Sequence, residues 1–437
     1  MEDDLRFVGK EPIPLIPHHL RAAVLSEIHA RPFTPLGVPA RILHFAFDTA
    51  GSRAQTDRDN LVAFCRQRGL SAPESGERQH RIPFEAMMLR WEQHSEFTTY
   101  TWERPSSAGN APFVPDAASL SAPMRLIAQP GPLLVAIDIH VISNDCPATS
   151  LETLFDRSSL ASAETRDGAA CYHTDFQLDP FGFVRILITD RGLGGERAGA
   201  LAQRIIEIET YRTFALLGLP EAHRLAPSIS AAERRLAELT DEMGNGGDLT
   251  DNRHMLDELT ALAAAIEAGA AASVYRFGAS RAYEEIVQDR LETIGERQIN
   301  GVPTWSSFLA RRMAPAMRTC ATIEARQAGL SVKLSRAANL LRTRVDVELE
   351  HQNQELLRSM EARTRSQLRL QATVEGLSVA AVTYYVVSLF AYVAKAAHEA
   401  RPTYINQHYV TAALVPLVTI TIWFIVRRIH RRHFGLQ

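Results

Sequence analysis

Residues 376–394 read GLSVAAVTYYVVSLFAYVA, a run without a charged side chain, and residues 410–426 read VTAALVPLVTITIWFIV. Each run is close to the roughly 20 residues needed to cross a hydrocarbon layer about 30 Å thick. The flanks orient them. Arg427, Arg428, Arg431 and Arg432 follow the second run, and Arg358, Arg363, Arg365 and Arg369 precede the first. The link between the runs is nearly balanced, with Lys395, Glu399 and Arg401. Lys and Arg concentrate on the cytoplasmic side of spanning helices. The expectation is a multi-pass protein of the bacterial inner membrane, ending in a two-helix transmembrane hairpin with both chain ends cytoplasmic.

Upstream of the first run the pattern is helical for a long way. Leu334, Ala338, Leu341, Val345, Leu349, Gln352, Leu356 and Met360 step by three or four residues, the repeat of an interhelical seam. A single helix over residues 316–394 would be about 120 Å long at 1.5 Å per residue. Such a rod needs partner helices, and copies of itself about a symmetry axis supply them most economically. A homo-oligomer formed through the stalk and the first membrane helix is expected.

The remainder divides by pattern. Up to residue 197, short strand-like segments dominate: 41–48, 84–91, 97–102, 133–142, 170–178 and 182–189, with a helix over 57–69. The intervals are too short for regular βαβ crossovers, so a mixed or antiparallel sheet with helices is expected. Residues 198–315 read as helices, with Ile205, Ile208, Tyr211 and Ala215 forming one apolar stripe. The fold class is therefore an α+β cytoplasmic domain, a long helical stalk and the C-terminal hairpin. Its parts are an α/β domain (1–197), a helical region (198–315), a stalk (316–375), two spanning helices (376–394 and 410–426), an outer loop (395–409) and a basic tail (427–437).

Composition agrees only once it is divided in this way. The mean hydropathy of −0.11 describes a soluble chain because a polar portion dilutes the hairpin. A net charge of −3 gives no basic field for nucleic acid, and none is expected as a partner. Of 47 basic residues only Lys10, Lys333 and Lys395 are lysine, which with abundant alanine points to a GC-rich bacterial genome. The acidic start, Met1-Glu-Asp-Asp, is not a signal sequence, so the bulk of the chain is expected in the cytoplasm. Cys65, Cys146, Cys171 and Cys320 have no paired spacing, so reduced, isolated thiols are expected.

Several stretches carry a family resemblance: Glu27-Ile28-His29-Ala30-Arg31-Pro32, Trp91-Glu92-Gln93-His94-Ser95-Glu96-Phe97, and Glu207-Ile208-Glu209-Thr210-Tyr211-Arg212. With Asn353-Gln354-Glu355-Leu356-Leu357 and Gln371 to Val379, they resemble the bacterial membrane-anchored family of unknown function numbered 3422. That resemblance implies architecture and location but no substrate. The layout of an α/β domain, a long helix entering the membrane, a second short helix and a basic tail is also similar to CorA-type divalent-cation channels. Those channels carry Gly-Met-Asn after the first membrane helix, and here the region reads Ala397-His398-Glu399-Ala400-Arg401-Pro402. The selectivity element of that family is missing.

Two sets of residues carry candidate chemistry. Glu92, His94 and Glu96 alternate, so on one strand all three share a face, and Glu27, His29 and Arg31 could join them. Carboxylates with imidazole suit a divalent cation, the one cofactor this set would take, or serve as a structural salt-bridge network. In the first membrane run, Thr383, Tyr384, Ser388 and Tyr392 fall near one helical face, with Glu375 at its inner mouth and Glu399 in the outer loop. Such a face suits a pore lining or helix–helix packing. His173 and Asp175 read as loop support, and Gly192-Leu193-Gly194-Gly195 as a turn, since it lacks the Gly-Lys-Ser/Thr ending of a phosphate loop. No nucleophile with base and orienter assembles. The expected function is a CorA-like homo-oligomeric ion channel or ion sensor. The alternative is a membrane-tethered scaffold or signalling module, non-enzymatic, whose soluble part binds a protein or small ligand.

Overall fold

The computed structural model describes residues 18–21, 25, 33–106, 111–113, 123–144, 150–299, 301–400 and 407–434. The fold is α+β, with a mixed sheet of nine strands in the order β2-β3-β4-β1-β5-β8-β7-β6-β9. In chain order these are β1 (Ala40–Asp48), β2 (Gln79–Phe84), β3 (Met87–Gln93), β4 (Phe97–Pro105), β5 (Leu133–Ser143), β6 (Ala161–Glu164), β7 (Ala170–Thr174), β8 (Val184–Asp190) and β9 (Arg297–Gln298). Among the described residues only β5 and β8 run parallel, and every other pair is antiparallel. The helices are α1 (Arg53–Gln67), α2 (Leu151–Leu154), α3 (Gly195–Leu216), α4 (Gly218–Asn245), α5 (Leu249–Ile294), α6 (Trp305–Ala400) and α7 (Gln407–Phe434). The chain forms two compact units, one of residues 1–240 with 259–336, the other of 241–258 with 337–437.

The first unit covers the sheet on both faces, which is why β1 alternates poorly in sequence: all but the last of its residues are buried. On one face Leu43, Phe45, Leu61, Trp91, Tyr100 and Trp102 pack with α1. On the other, Ile42, Ala46, Ile137, Ile139 and Ile186 pack against Leu201, Ile205 and Ile208 of α3. The same core takes in Val287 and Leu291 of α5 and Trp305, Leu309 and Met313 of α6. Burial at about 25 cal/mol per Å² makes this two-sided core the main stabilising term.

Helix α6 begins at Trp305, earlier than the start expected after Pro315, and carries that proline inside it. An interior proline costs about 3 kcal/mol. Buried Trp305, Phe308, Met313 and Met317 on both sides of it offset that cost. Helix α4 likewise begins at Gly218 and runs through Pro227.

A close approach fixes α3 against the segment before β1. A Cβ on Gly199 would stand 1.8 Å from the Thr34 carbonyl oxygen, a backbone atom. Gly199→Ala is therefore expected to destabilise the first unit by about 1–3 kcal/mol through overpacking. A lower urea midpoint, followed by fluorescence of the buried Trp91, Trp102 and Trp305, is the check; an unchanged midpoint would refute it.

In the second unit the expected seam changes character along α6. Leu341 is 0% and Val345 6% exposed, with the Arg344 guanidinium donating to the Met243 carbonyl at 2.8 Å. Leu356, Met360, Leu370 and Val374 are 55–67% exposed. Helix α6 also carries an 18-residue window of mean hydropathy 1.7, only 6% buried, which is long and apolar enough to cross a membrane.

Candidate functional site

The strands present two different faces, and the polar cluster lies on the one covered by α3. His44 of β1, Arg90 and Glu92 of β3 and Thr99 and Thr101 of β4 share that face because side chains alternate along a strand. Helix α3 answers with Gln203, Glu207 and Thr210, spaced by four and three so that they form one stripe beside the apolar one. His44 bridges the two layers: Nδ1 lies 2.8 Å from Thr101 Oγ1, and Thr210 Oγ1 lies 3.1 Å from Nε2. Arg90 donates to Gln203 Oε1 at 2.9 Å, Gln203 donates to Glu207 Oε1 at 3.0 Å, and Arg290 of α5 closes the chain on Glu207.

Burial dominates the electrostatics. It holds His44 down to about 3, helped by the positive charge of Arg90 and by His94, so the imidazole is neutral at physiological pH. Burial also pushes Glu209 up against the opposing pull of Arg212, whose Nε donates to its carboxylate at 2.6 Å. The space among His44, Arg90, Glu92, His94, Thr99 and Thr210 measures about 20 Å³ and is partly open to the surface. That is room for one water molecule and too small for an organic substrate. Two groups that border it, Arg90 Nε and Thr99 Oγ1, have no hydrogen-bond partner among the described residues. Arg90 Nε lies 3.8 Å from Glu92 Oε2. The arrangement locks α3 to the sheet; with both His44 nitrogens engaged, it is suited to orientation rather than to acid–base chemistry.

The expected Glu92–His94–Glu96 face is not a single strand face. β3 ends at Gln93 and β4 starts at Phe97, so His94 to Glu96 form the hairpin connection, closed by His94 N–H donating to the Phe97 carbonyl at 2.8 Å. Glu92 and His94 border the cluster, whereas Glu96 turns to α5 and accepts from Arg276 Nη2 at 2.7 and 2.8 Å. His94 stacks on Phe97 with ring centroids 4.1 Å apart. Among the described residues no group of three or more His, Cys, Asp or Glu side chains is placed to hold a metal ion. Glu27, His29 and Arg31 lie outside the described residues.

His44, Arg90, Gln203, Glu207 and Thr210 were not singled out from sequence. Their signal was a polar stripe at 203, 207 and 210 within an apolar helix.

The other expected positions are dispersed. His173 Nδ1 meets Ser162 Oγ at 2.8 Å, and Asp175 accepts from the Asp156 and Gln177 amides at 2.9 and 3.1 Å, supporting the loop. Gly192 to Gly195 form the turn into α3, with the Gly192 and Leu193 amides donating to Asp190 Oδ1. On α6 the polar face divides. Thr383 is 8% exposed and donates to the Val379 carbonyl, while Tyr384 and Tyr392 are 70% and 75% exposed, with Ser388 between these extremes. The arc containing Thr383 is thus wider than the sequence spacing suggested, because adjacent helical residues stand about 100° apart. Glu375 borders a groove with Gly376, Trp423 and Arg427 of α6 and α7. The Glu399 side chain, like Cys146, is outside the described residues. Cys65, Cys171 and Cys320 are free and buried.

No curated protein and no solved structure matches the chain. A family model does, over residues 16–433, and its span takes in nearly everything described above, from the sheet through α6 and α7. The chain belongs to the family described as protein of unknown function (DUF3422).

Proposed function

We infer that the chain is a homo-oligomeric inner-membrane protein, crossing twice with both ends cytoplasmic, and that it conducts or senses ions about a central helix axis in a CorA-like layout. The observation that carries this reading is the bare seam of α6. Leu356, Leu370, Leu377 and Tyr384 are spaced by multiples of seven, as are Met360, Val374 and Ser388. These are the a and d positions of one heptad frame, the pattern by which helices supercoil. Leu356, Met360, Leu370, Val374, Leu377 and Tyr384 are 55–73% exposed in the single chain. Each buried leucine is worth about 1.5–3 kcal/mol, so a second copy is the economical cover. The same frame carries Tyr384 and Ser388 to the axis, where hydroxyls line the path and a divalent cation is the species such a layout suits. Tyr392 continues this exposed face. Glu375 supplies a carboxylate at the cytoplasmic level from the α6–α7 groove beside Arg427, and Thr383 is buried away from the exposed face. The bilayer is the other partner.

Light scattering of the full chain in detergent is expected to give a multimer, and Leu356→Glu with Leu370→Glu to give monomers. Proteoliposomes of the wild type are expected to pass cations and those of the double variant not to. A monomeric wild type, or the absence of flux and of any ion-dependent conformational change across a broad ion panel, would overturn the reading.

A further inference from the structure

A cleft of about 430 Å³ opens on the first unit between the β6–β7 turn, one side of α3 and the end of α5. It is separate from the small space around His44 and of the size that takes a small organic ligand. Three guanidiniums border it, Arg166 from the turn and Arg197 and Arg204 from α3, two turns apart, and among the described residues lining the cleft Asp167 is the one carboxylate. Asp167 pairs with Arg197 and also accepts from Thr165 Oγ1 at 2.8 Å, which holds its carboxyl below the usual range. Arg166 and Arg204 have no hydrogen-bonded carboxylate among the described residues.

Arg166 is exposed at the turn, whereas Arg204 is partly covered. Arg166 lies against Gly295 at the end of α5, where φ is +65° and an added Cβ would stand 2.7 Å from Nε. Half-buried Arg204 stacks over Phe33 at 4.9 Å. Burial lowers the Arg204 pKa, and the nearby charge of Arg290 lowers it further, while Glu207 opposes them. Glu207 is itself taken by Arg290. Leu193, Leu201 and Ile294 give the same cleft an apolar floor. Planar guanidiniums match phosphate oxygens bidentately, and an apolar floor takes a ring or acyl portion.

We propose that this cleft binds a small organic phosphate of mononucleotide size, with its phosphate on Arg166 and Arg204 and its apolar part over Leu201. The experiment is calorimetric titration of the full chain in detergent with ADP and, separately, with inorganic pyrophosphate. ADP is expected to bind at one site and more tightly than pyrophosphate, because its apolar part lies over Leu201; equal affinity would overturn that placement. Arg166→Gln and Arg204→Gln are each expected to weaken ADP about tenfold, the loss of one charge-assisted contact. Asp167→Asn, which releases Arg197, is expected to tighten it. A guanidinium that merely caps α5 would leave ADP affinity unchanged in Arg166→Gln. That result, or no binding of either probe at millimolar concentration, would overturn the assignment. Should an arginine variant lose its fold, the Asp167→Asn arm decides alone: tighter ADP supports the site, and unchanged or weaker ADP refutes it.

Discussion

Asp138→Ala is expected to cost about 3–5 kcal/mol, a large share of the roughly 5–15 kcal/mol that holds a native domain together. Asp138 of β5 lies on the α1 side of the sheet and receives a bidentate pair of bonds from Arg41 of β1, Nε to Oδ1 at 2.8 Å and Nη2 to Oδ2 at 2.7 Å. Their side chains are 7% and 3% exposed. The pair itself need not be strongly stabilising, because two desolvated charges cost nearly what their attraction returns. Removing one partner is different, since it leaves a buried guanidinium with no counter-charge at 2.7 Å. His140 makes matters worse: its Nε2 lies 3.6 Å from Asp138, and that nitrogen already has no hydrogen-bond partner among the described residues.

The measurement is the urea midpoint of the full chain in detergent, read by tryptophan fluorescence. The double replacement Arg41→Met with Asp138→Leu separates the two effects, because it deletes both charges and keeps the volume. It is expected to recover most of the stability lost in Asp138→Ala. If the double variant were as unstable as the single one, the loss would come from packing rather than from an orphaned charge.

Sequence reading succeeds here where one physical term dominates. Residues 133–142 are mostly apolar, interrupted only by Asp138 and His140 on one face, and the segment is the central β5; the strand-like segment 84–91 covers the end of β2 and most of β3, which pairs with β4 over 97–102. Long helical periodicity is equally legible, since α6 covers the expected stalk and first apolar run without a break. The turn at His94–Glu96 was missed for a local reason. It contains no Gly, Pro or Asn, and its alternating charges imitate an extended strand, whereas Arg276, 180 residues away in sequence, determines where Glu96 points. The polar stripe of α3 was missed because Ile205, Ile208 and Tyr211 satisfy the helical period by themselves. Nothing local shows that Gln203, Glu207 and Thr210 are also inward, toward a histidine and an arginine from strands far upstream. The start of α6 at Trp305 was hidden by Pro315, whose local cost is offset by non-local packing.

The largest pH effect follows from three buried histidines. Burial holds His44 down to about 3, and His140 and His173 to about 4 each. Arg90 and His94 reinforce this at His44, as does Arg191 at His173, while at His140 Asp138 opposes it and Arg41 and Arg104 assist it. In the unfolded chain each titrates near 6.5. The folded state therefore binds fewer protons, so its stability is fully present above about pH 6.5 and is lost as pH falls toward 4. One shifted group changes stability by about 1.4 kcal/mol per pH unit within that window, so three together approach ~4 kcal/mol per unit. Asp57 and Glu209, whose carboxyls burial pushes up, act in the opposite sense and blunt the slope. Even at half strength, moving from pH 6.5 to 5 removes about 3 kcal/mol. The wild-type urea midpoint is expected to fall steeply between pH 6.5 and 5 and to be flat between 7 and 8. Replacing His44, His140 and His173 together by Gln is expected to lower the midpoint at pH 7.5, because Gln does not reproduce the ring packing, yet to flatten its pH dependence. A wild-type midpoint that stays constant from pH 7.5 to 5 would show that these imidazoles are not held neutral. A triple variant as acid-sensitive as the wild type would assign the effect to other groups.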